Sequence, residues 1–229
     1  MNGPAVVSLT FDDGLRCQFE QAVPILDQHR FCATFFLIAN TDPVHQQPNW
    51  WKINWSERDN RFLKQMIQRG HEIGAHSVTH LPEQIEADPK REAEESKRWI
   101  KERLDEEIPS YAYPGYQFSD RIKNAVITAG YQQARLGKNQ SYYPLQAQID
   151  FFEVDCREIS GGEDVDGWLK PGYWHILNYH GIDWGWSPIS VPEFDRQMTE
   201  LAKHRNAGAV EVVTFREGAD RFRLSNTGC

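Results

Sequence analysis

Short apolar runs alternate along this chain with longer segments in which apolar residues recur at helical spacing. The runs at 6–10 and 33–37 are rich in β-branched and aromatic residues, which is typical of buried strands. In the segment 16–29, apolar residues recur every three or four positions and predict an amphipathic helix. This alternation of strand and helix predicts a parallel α/β architecture.

The same patterns give the remaining elements of the predicted fold. Further strands are predicted at 72–76, 111–116, 131–135, 151–155, 174–179 and 210–215, and further helices at 62–70, 88–107, 119–130 and 194–201. A closed barrel suits these seven or eight strands better than an open sheet, and polar residues gather at the strand carboxyl ends, where such barrels place their active sites. No linker or repeat divides the chain, so we expect one domain over residues 1–229.

Composition excludes several classes of protein. The 229 residues are 40% hydrophobic, enough for one well-packed domain, and the net charge of −8 without a basic cluster argues against a nucleic-acid partner. No run of about 18 apolar residues predicts a membrane-spanning helix. The first ten residues lack the features of a signal peptide, so we expect a cytoplasmic protein by default, although a mature or truncated secreted form would look the same. The four widely spaced cysteines predict reduced thiols.

Two adjacent carboxylates, Asp12 and Asp13, end the first predicted strand in the run TFDDG at 10–14. Successive side chains of an extended backbone point to opposite faces, so the two residues can take different roles from neighbouring positions. One carboxylate can ligate a metal while the other faces substrate or water. Gly14 allows the sharp turn that brings the backbone close to such a site.

A pair of histidines follows the third predicted strand in the run HSVTH at 76–80. His76 and His80 are four positions apart, which puts both imidazoles on one face of a helical turn or of a strand. Two imidazoles and a carboxylate form a set suited to Zn²⁺, with one position left open for water. Cobalt, nickel or iron can replace zinc in such a set.

Together, TFDDG and HSVTH resemble the first two motifs of the polysaccharide deacetylases, carbohydrate esterase family 4, also known as the NodB homology domain. The resemblance extends through nearly the whole chain. It implies a single irregular (β/α)7 barrel and a metal-dependent hydrolase that removes acetyl groups from N-acetylated sugars or polysaccharide. It also implies that Asp13, His76 and His80 hold the metal and that Asp12 is the general base on the attacking water.

The segment ILNYHG at 176–181 resembles the fifth family motif, whose histidine, here His180, protonates the leaving nitrogen. In the family an apolar residue lies two positions before this histidine, where this chain has Asn178. The pocket for the acetyl methyl group is therefore expected to differ in shape. Leu177 is a candidate contact in its place.

The third family motif, Arg-x-Pro-aromatic, is altered in this chain. In an alignment on Pro114, Ala112 replaces the arginine that orients the base, and Gly115 replaces the aromatic residue. Tyr116 restores an aromatic residue one position later. The backbone N–H of Gly115 can still serve as an oxyanion donor, because that role needs no side chain.

The fourth family motif, Asp-x-x-Asp-Trp in many members, is reduced here to Asp155-Cys156-Arg157. We hypothesise that Arg157 or Arg135 supplies the missing arginine from a neighbouring strand, because both lie near predicted strand ends. An ordinary surface position is an equal alternative for each of these two arginines.

The substrate is less narrowly defined than the catalytic unit. Exposed tryptophans can stack on sugar faces around an open cleft, and Trp184 is one of five candidates, with Trp50, Trp51, Trp55 and Trp186. The same unit can instead cleave a small non-sugar amide or ureide, as in some relatives of the family. A carbohydrate-binding module that retains the metal without turnover is a third interpretation, against which the intact ligands, base and acid count. The acyl group and the oligomeric state stay open.

Overall fold

A mostly parallel sheet forms the centre of the computed structural model, which describes residues 3–39, 51–137, 142–165 and 167–226. Its strands are β1 (Ala5–Phe11), β2 (Thr34–Leu37), β3 (Glu72–Ala75), β4 (Ser110–Ala112), β5 (Gln133–Arg135), β6 (Tyr142–Pro144), β7 (Arg157–Glu158), β8 (Tyr173–Tyr179) and β9 (Val210–Val213). The helices are α1 (Val23–His29), α2 (Glu57–Gln68), α3 (Pro82–Ala87), α4 (Pro89–Leu104), α5 (Asp120–Thr128), α6 (Val191–Asn206) and α7 (Phe215–Asn226). Within these described ranges, none of the helices has the length and apolar character needed to cross a membrane.

β1 lies in the middle of the sheet because it is hydrogen-bonded on both sides. β8 pairs with it in parallel along almost its whole length. β9 and β2 share its other side, β9 beside residues 5–8 and β2 beside Thr10 and Phe11. From β2 the sheet continues through β3 and β4 to β5, and all these pairs are parallel.

The segment between β5 and β8 links the two sides of the curled sheet. Val154 forms a parallel bridge with Arg135 of β5, and the Leu136 N–H donates to the Val154 carbonyl over 2.7 Å. A few residues later, β7 pairs in parallel with β8. The predicted α/β fold, an irregular barrel with helices outside the sheet, is confirmed.

The strands alternate between two apolar layers. One face packs on the helices through residues such as Leu9 and Leu177. The other face encloses the barrel interior, where Phe36 and Trp174 meet residues of α7. Because the side-chain period of a strand is two, Asp12 faces the same interior as Val6 near the other end of β1.

α7 closes this interior at the end opposite the strand carboxyl termini. In its first turn, the Phe215 N–H donates to Thr34 Oγ1 over 2.8 Å and the Arg216 N–H to Glu72 Oε2 over 2.9 Å. Thr34 and Glu72 are the first residues of β2 and β3. The strand starts therefore supply acceptors to helical N–H groups that have no partner within the helix.

Several predicted boundaries are wrong, and tertiary pairing explains them. The last strand ends at Val213, and the residues after it begin α7, which the sequence analysis does not predict. The segment 151–155 contributes a bridge rather than a full strand, while β6 lies between the predicted strands at 131–135 and 151–155, where the sequence analysis predicts no element. These short strands exist because they pair with β5 or β8, and local periodicity carries no information about a distant partner.

Candidate active site

The carboxyl ends of the parallel strands deliver one set of polar side chains to a cavity of about 540 Å³. In a barrel of parallel strands this is the end at which active sites are built. The strand ends contribute Asp12, Asp13, His76, His80, Gly115, Tyr116, Glu158 and His180, and loops add Trp51, Lys52 and Trp186.

Asp13, His76 and His80 lie together at this cavity. Asp13 Oδ1 is 3.7 Å from His76 Nε2 and 3.3 Å from His80 Nε2, and the three ligand atoms lie within 4.8 Å of one another. Asp13 Oδ1 is buried and accepts no hydrogen bond from the residues that the structure describes. A carboxylate oxygen without a donor, facing two imidazole nitrogens, fits a divalent metal ion.

The main chain orients His76 for this role. Its Nδ1 donates to the Ala112 carbonyl over 2.9 Å, which leaves Nε2 free to face Asp13. Burial lowers the pKa of His76 to about 4, because the cost of burying the charged imidazolium exceeds the favourable effect of the nearby Asp12 carboxylate. His76 is therefore neutral at neutral pH, as a metal ligand must be.

The turn after β1 gives the two carboxylates different positions. Asp12 continues the strand, since its N–H donates to the Tyr179 carbonyl over 3.1 Å. Asp13 leaves it with a φ of 75°, in the left-handed region that residues other than glycine seldom adopt. The Gln18 side chain donates to the main-chain carbonyls of Asp12 and His180 over 2.6 and 2.9 Å, which fixes the ends of β1 and β8 side by side.

Asp12 is buried at the cavity and is held by Arg135. The Arg135 Nη2 donates to both Asp12 carboxylate oxygens, to Oδ1 over 2.5 Å, and both side chains are inaccessible to solvent or nearly so. Burial by itself raises the pKa of the Asp12 carboxyl. The Arg135 guanidinium, followed by His76 and His180, outweighs this effect and holds that pKa well below its ordinary value. Asp12 is therefore a carboxylate at neutral pH.

Strand register explains why Arg135 reaches Asp12. Ala112 of β4 pairs with Arg135 of β5, and residues paired across parallel strands face the same side of the sheet. The small Ala112 leaves room in the interior for the guanidinium, whose carbon lies 5.3 Å from the centre of the Phe36 ring and 5.8 Å from that of Tyr116. The arginine absent from the third motif thus has a counterpart one strand away.

Arg157, the other arginine considered for this position, faces the opposite side of its strand. It pairs with Leu177, and its guanidinium carbon lies 4.5 Å from the centre of the Trp168 ring. Leu177 is buried in the layer between sheet and helices. The structure brings neither side chain into the cavity, and their sequence neighbours Glu158 and Asn178 face the interior instead, because side chains alternate along a strand.

Asn178 completes the surroundings of Asp12. Its Nδ2 donates to Asp12 Oδ2 over 3.0 Å. The Thr10 hydroxyl donates to Asn178 Oδ1, also over 3.0 Å, and this contact fixes which way the amide points. An amide that replaces the apolar residue of the fifth motif therefore serves here as a hydrogen-bond donor to the carboxylate.

His180 lies between two carboxylates, Asp12 and Glu158. Its Nε2 is 3.7 Å from Asp12 Oδ2 and its Nδ1 is 3.7 Å from Glu158 Oε1, while Glu158 Oε2 accepts a hydrogen bond from Tyr116 Oη over 3.2 Å. The sequence analysis does not include Glu158 in the site. Cys156 faces the interior, where its Sγ accepts from Arg135 Nη1 over 3.0 Å. Glu158 is two positions later on the chain and faces the same side, so this alternation is the signal in the sequence that could have identified it.

Gly115 and Tyr116 form one wall of the cavity. Both have left-handed backbone conformations, with φ of 54° and 57°, in the 3₁₀ turn at Pro114–Tyr116 that follows β4. The Tyr116 ring packs directly on Gly137, where a Cβ atom would approach the ring to 2.0 Å. A glycine at 137 is therefore required for the position of the Tyr116 hydroxyl.

The predicted tryptophans separate into different environments. Trp51 and Trp186 line the cavity, and Trp186 is 67% exposed. Trp184 lies beside Trp51, with ring centres 5.7 Å apart, but does not line the cavity. Trp55 is buried and donates to a main-chain carbonyl. Trp50 lies outside the described residues.

A family model described as polysaccharide deacetylase matches residues 2–134, more than half of the chain. This chain belongs to the polysaccharide deacetylase family. The matched residues include Asp12, Asp13, His76 and His80 and end one position before Arg135. The residues that later strands contribute to the site, Arg135 onward, are therefore identified by the structure and not by the family match.

Curated relatives cover part of the chain. Over 138 residues it is 29% identical to a peptidoglycan-N-acetylglucosamine deacetylase of Bacillus cereus, covering 57% of this chain and 56% of that protein. Over 82 residues it is 34% identical to a chitooligosaccharide deacetylase of a Bradyrhizobium strain, covering 35% of this chain and 31% of that protein. The match thus spans from about a third to just over half of the length of these relatives.

Solved structures extend the likeness to the whole fold. The Xyl-CE4 domain of a multidomain xylanase from the hindgut metagenome of Trinervitermes trinervoides superimposes with a TM-score of 0.63 at 17% identity, covering 96% of this chain and 91% of that one. A family 4 acetyl xylan esterase from Clostridium thermocellum, in complex with a cobalt ion, gives a TM-score of 0.56 at 18% identity with the same coverage. At these identities the likeness shows a shared fold.

Replacing Glu158 with glutamine will reduce kcat about tenfold to 100-fold with little change in KM, because part of the contribution of an acid at His180 is lost. The substitution removes the negative charge that lies 3.7 Å from His180 Nδ1 and keeps the size of the side chain, so the ring loses an electrostatic attraction at this nitrogen. Steady-state kinetics on an acetylated oligosaccharide measure both constants. Glu153→Gln is the matched control, because Glu153 pairs with Lys123 on the outside of the barrel. An unchanged kcat in Glu158→Gln would show that His180 does not depend on this carboxylate.

Proposed function

We propose that this protein removes acetyl groups from N-acetylated sugars or polysaccharide by hydrolysis of the amide bond. The observation that carries the proposal is the position of Asp12 between the Asp13–His76–His80 cluster on one side and His180 on the other. Family membership supports it, because the curated relatives are deacetylases of peptidoglycan N-acetylglucosamine and of chitooligosaccharide.

Asp13, His76 and His80 would hold a divalent metal, and zinc suits one carboxylate and two imidazoles. Cobalt, nickel or iron are alternatives, and a related esterase of this fold is in complex with cobalt. When bound, such an ion polarises the acetyl carbonyl and lowers the pKa of water. The donor set fits, since Asp13 Oδ1 lacks a hydrogen-bond partner in the described structure and both histidines present Nε2 to it.

Asp12 is the proposed general base and His180 the proposed general acid. An Asp12 oxygen accepts a proton from the attacking water, and Arg135 and Asn178 keep the carboxylate ionised and oriented for it. His180 Nε2 donates a proton to the leaving nitrogen. His180 Nε2 and Asp12 Oδ2 are 3.7 Å apart, so an acid and a base at these two atoms would act on the same amide group.

The cavity walls have two further proposed roles. Gly115 presents main chain to the cavity, and its N–H is the proposed donor to the oxyanion that forms from the acetyl carbonyl. Trp51 and Trp186 offer aromatic faces on which sugar rings can stack.

Replacing His80 with alanine will weaken Co²⁺ binding by about 100-fold or more. Titration of the metal-free protein, followed through the visible absorption of the bound cobalt, measures this without reference to activity. His204→Ala on α6 is the control variant and will bind as the unaltered protein does. Equal affinity in His80→Ala would remove this residue from the proposed ligand set.

The pH dependence of that binding provides a second check. Protons compete with the metal only when an imidazole is charged, and burial lowers the pKa of both His76 and His80 below the ordinary 6.5, that of His76 to about 4. Cobalt affinity will therefore hold as pH falls through 6.5 and decline at lower pH. A decline centred at or above pH 6.5 would contradict the burial of these ligands.

The activity itself is tested by acetate release from zinc-reconstituted protein. The substrates are N-acetylglucosamine oligomers, an O-acetylated glycan and several small amides and ureides. We expect acetate from the N-acetylglucosamine oligomers. Turnover of a small amide alone would replace the sugar substrate by the small-amide alternative, and metal binding without any turnover would favour a binding module.

A further inference from the structure

Lys52 gives the cavity a positive charge that the proposed reaction does not use. It is the cationic side chain among the described residues that line the cavity, in a chain whose net charge is −8. Arg135 lies behind Asp12 and is fully buried against it, so its charge is neutralised within the protein. Glu158 gives the cavity a negative charge near His180.

The main chain holds Lys52 firmly over the turn after β1. Leu15 and Lys52 form an antiparallel bridge. On either side of it, the Arg16 N–H donates to the Trp51 carbonyl and the Ile53 N–H to the Gly14 carbonyl, both over 3.0 Å. Lys52 and Trp51 are therefore presented to the cavity from a fixed segment of backbone.

Among the described residues, no carboxylate oxygen lies within 4 Å of the Lys52 ammonium as an ion pair. The acidic group that acts on it at longer range is Asp13, which belongs to the proposed metal-binding set. A half-buried ammonium that faces a cavity and has no carboxylate in contact carries a charge that the protein compensates only in part, through Asp13. An anionic group on a ligand would compensate the rest of this charge.

We propose that Lys52 binds a carboxylate carried by the substrate, so that the cavity prefers an N-acetylated sugar acid to the corresponding neutral sugar. This inference rests on the proposed deacetylase function and adds a substrate class to it. Trp51 and Trp186 contact the apolar faces of the sugar, and Lys52 recognises its acidic substituent. The overall negative charge of the chain repels anions, so this preference depends on a local cation at the site.

A matched pair of substrates tests the proposal. One is an N-acetylglucosamine oligomer, and the other is the same oligomer with a carboxylate-bearing ether on the acetylated ring. The ratio of kcat/KM for the acidic over the neutral substrate will be about tenfold or more, will fall about tenfold in Lys52→Met, and will invert in Lys52→Glu. Lys52→Arg will retain most of the preference for the acidic substrate, because it keeps the positive charge. Lys64→Met, on the exposed face of α2, will leave the ratio unchanged.

Ionic strength gives an independent readout. The preference for the acidic substrate will decrease as salt is raised, and Lys52→Met will show little of this dependence, because its cavity has lost the cation. A ratio of kcat/KM for the acidic over the neutral substrate that is equal in Lys52→Met and the unaltered protein would overturn the inference. So would an equal loss of kcat on both substrates, which would place Lys52 at the reacting amide.

Binding separates this inference from the proposed function. Calorimetric titration of both sugars into Asp12→Asn, with and without Lys52→Met, measures recognition without turnover. If the unaltered protein hydrolyses neither sugar but the acidic one binds about tenfold more weakly when Lys52→Met is added to Asp12→Asn, the deacetylase proposal fails and the recognition of carboxylate stands. If the unaltered protein hydrolyses both sugars and Lys52→Met changes the affinity for neither, the deacetylase proposal stands and the recognition of carboxylate by Lys52 fails.

Discussion

Replacing Asp12 with asparagine will reduce kcat for acetamide hydrolysis by about 10²–10⁴-fold. The amide of asparagine keeps the size of the side chain and one oxygen to accept from Arg135 and Asn178, but it cannot accept a proton from water. Asp13, His76 and His80 are unaltered, so metal affinity will change far less than kcat. Acetate release under saturating substrate, together with a cobalt titration of the same sample, measures the two quantities separately.

Asp59→Asn is the matched control for the loss of a buried aspartate. Asp59 pairs with Arg16 over 3.1 Å and does not line the cavity, so its replacement will leave kcat within about twofold. If Asp12→Asn retained activity within a few-fold of the unaltered protein, Asp12 would not be the base. If it lost the metal as well, the two carboxylates would have to share the ligand role.

Replacing Arg135 with alanine will lower the free energy of unfolding by about 3–5 kcal/mol at pH 7. The substitution leaves the Asp12 carboxylate buried at the centre of the barrel without its cation. In the unaltered protein, Arg135 holds the pKa of Asp12 below its ordinary value, whereas burial alone raises it. Activity will fall with stability, because a carboxylate that takes up a proton is no longer a base.

The pH dependence of this loss identifies its origin. With Arg135 present, the folded pKa of Asp12 lies below the unfolded value, so the pair contributes stability at neutral pH and loses it as pH falls. In Arg135→Ala the folded pKa lies above the unfolded value, and burial of the charge costs most at neutral pH. The difference in the free energy of unfolding between Arg135→Ala and the unaltered protein will therefore become smaller from pH 7 to pH 4. Urea unfolding of the metal-free chains measures it.

Two further variants show whether position or charge matters. Arg157→Ala, on the outward side of β7, will leave Asp12 paired and kcat within about twofold. Combining Ala112→Arg with Arg135→Ala returns the arginine to the position of the third family motif, on the residue that pairs with 135. This double variant will recover part of the lost kcat.

The pH experiment on Arg135→Ala has a contrary outcome. A difference in the free energy of unfolding from the unaltered protein that stays constant with pH would argue against an ionic contact between Arg135 and Asp12.

Local patterns in the sequence suffice for much of the fold. The apolar strand at the start of the chain, the amphipathic helices and the α/β class all follow from spacing within a few residues. β6 and β7 are short and α7 follows directly after β9, so their existence depends on partners far along the chain. Periodicity cannot supply those partners, and the predicted boundaries fail there.

The candidate site divides in the same way. Asp12 and Asp13 are adjacent, and His76 and His80 are four positions apart, so short motifs identify them and the structure places them in one cavity. The sequence proposes both Arg135 and Arg157 for the missing arginine and has no means of choosing. Register and alternation make the choice, because Arg135 pairs with the inward-facing Ala112 whereas Arg157 pairs with the outward-facing Leu177.

By itself, the sequence determines the kinds of strand and helix, the family, and the residues whose roles depend on close neighbours in the chain. Tertiary structure alone decides that Arg135 reaches Asp12, that Glu158 lies beside His180, and that Lys52 faces the cavity. The physical reason is that each of these contacts joins strands or loops distant in sequence. A side chain on a strand faces one side or the other according to a register that only pairing fixes.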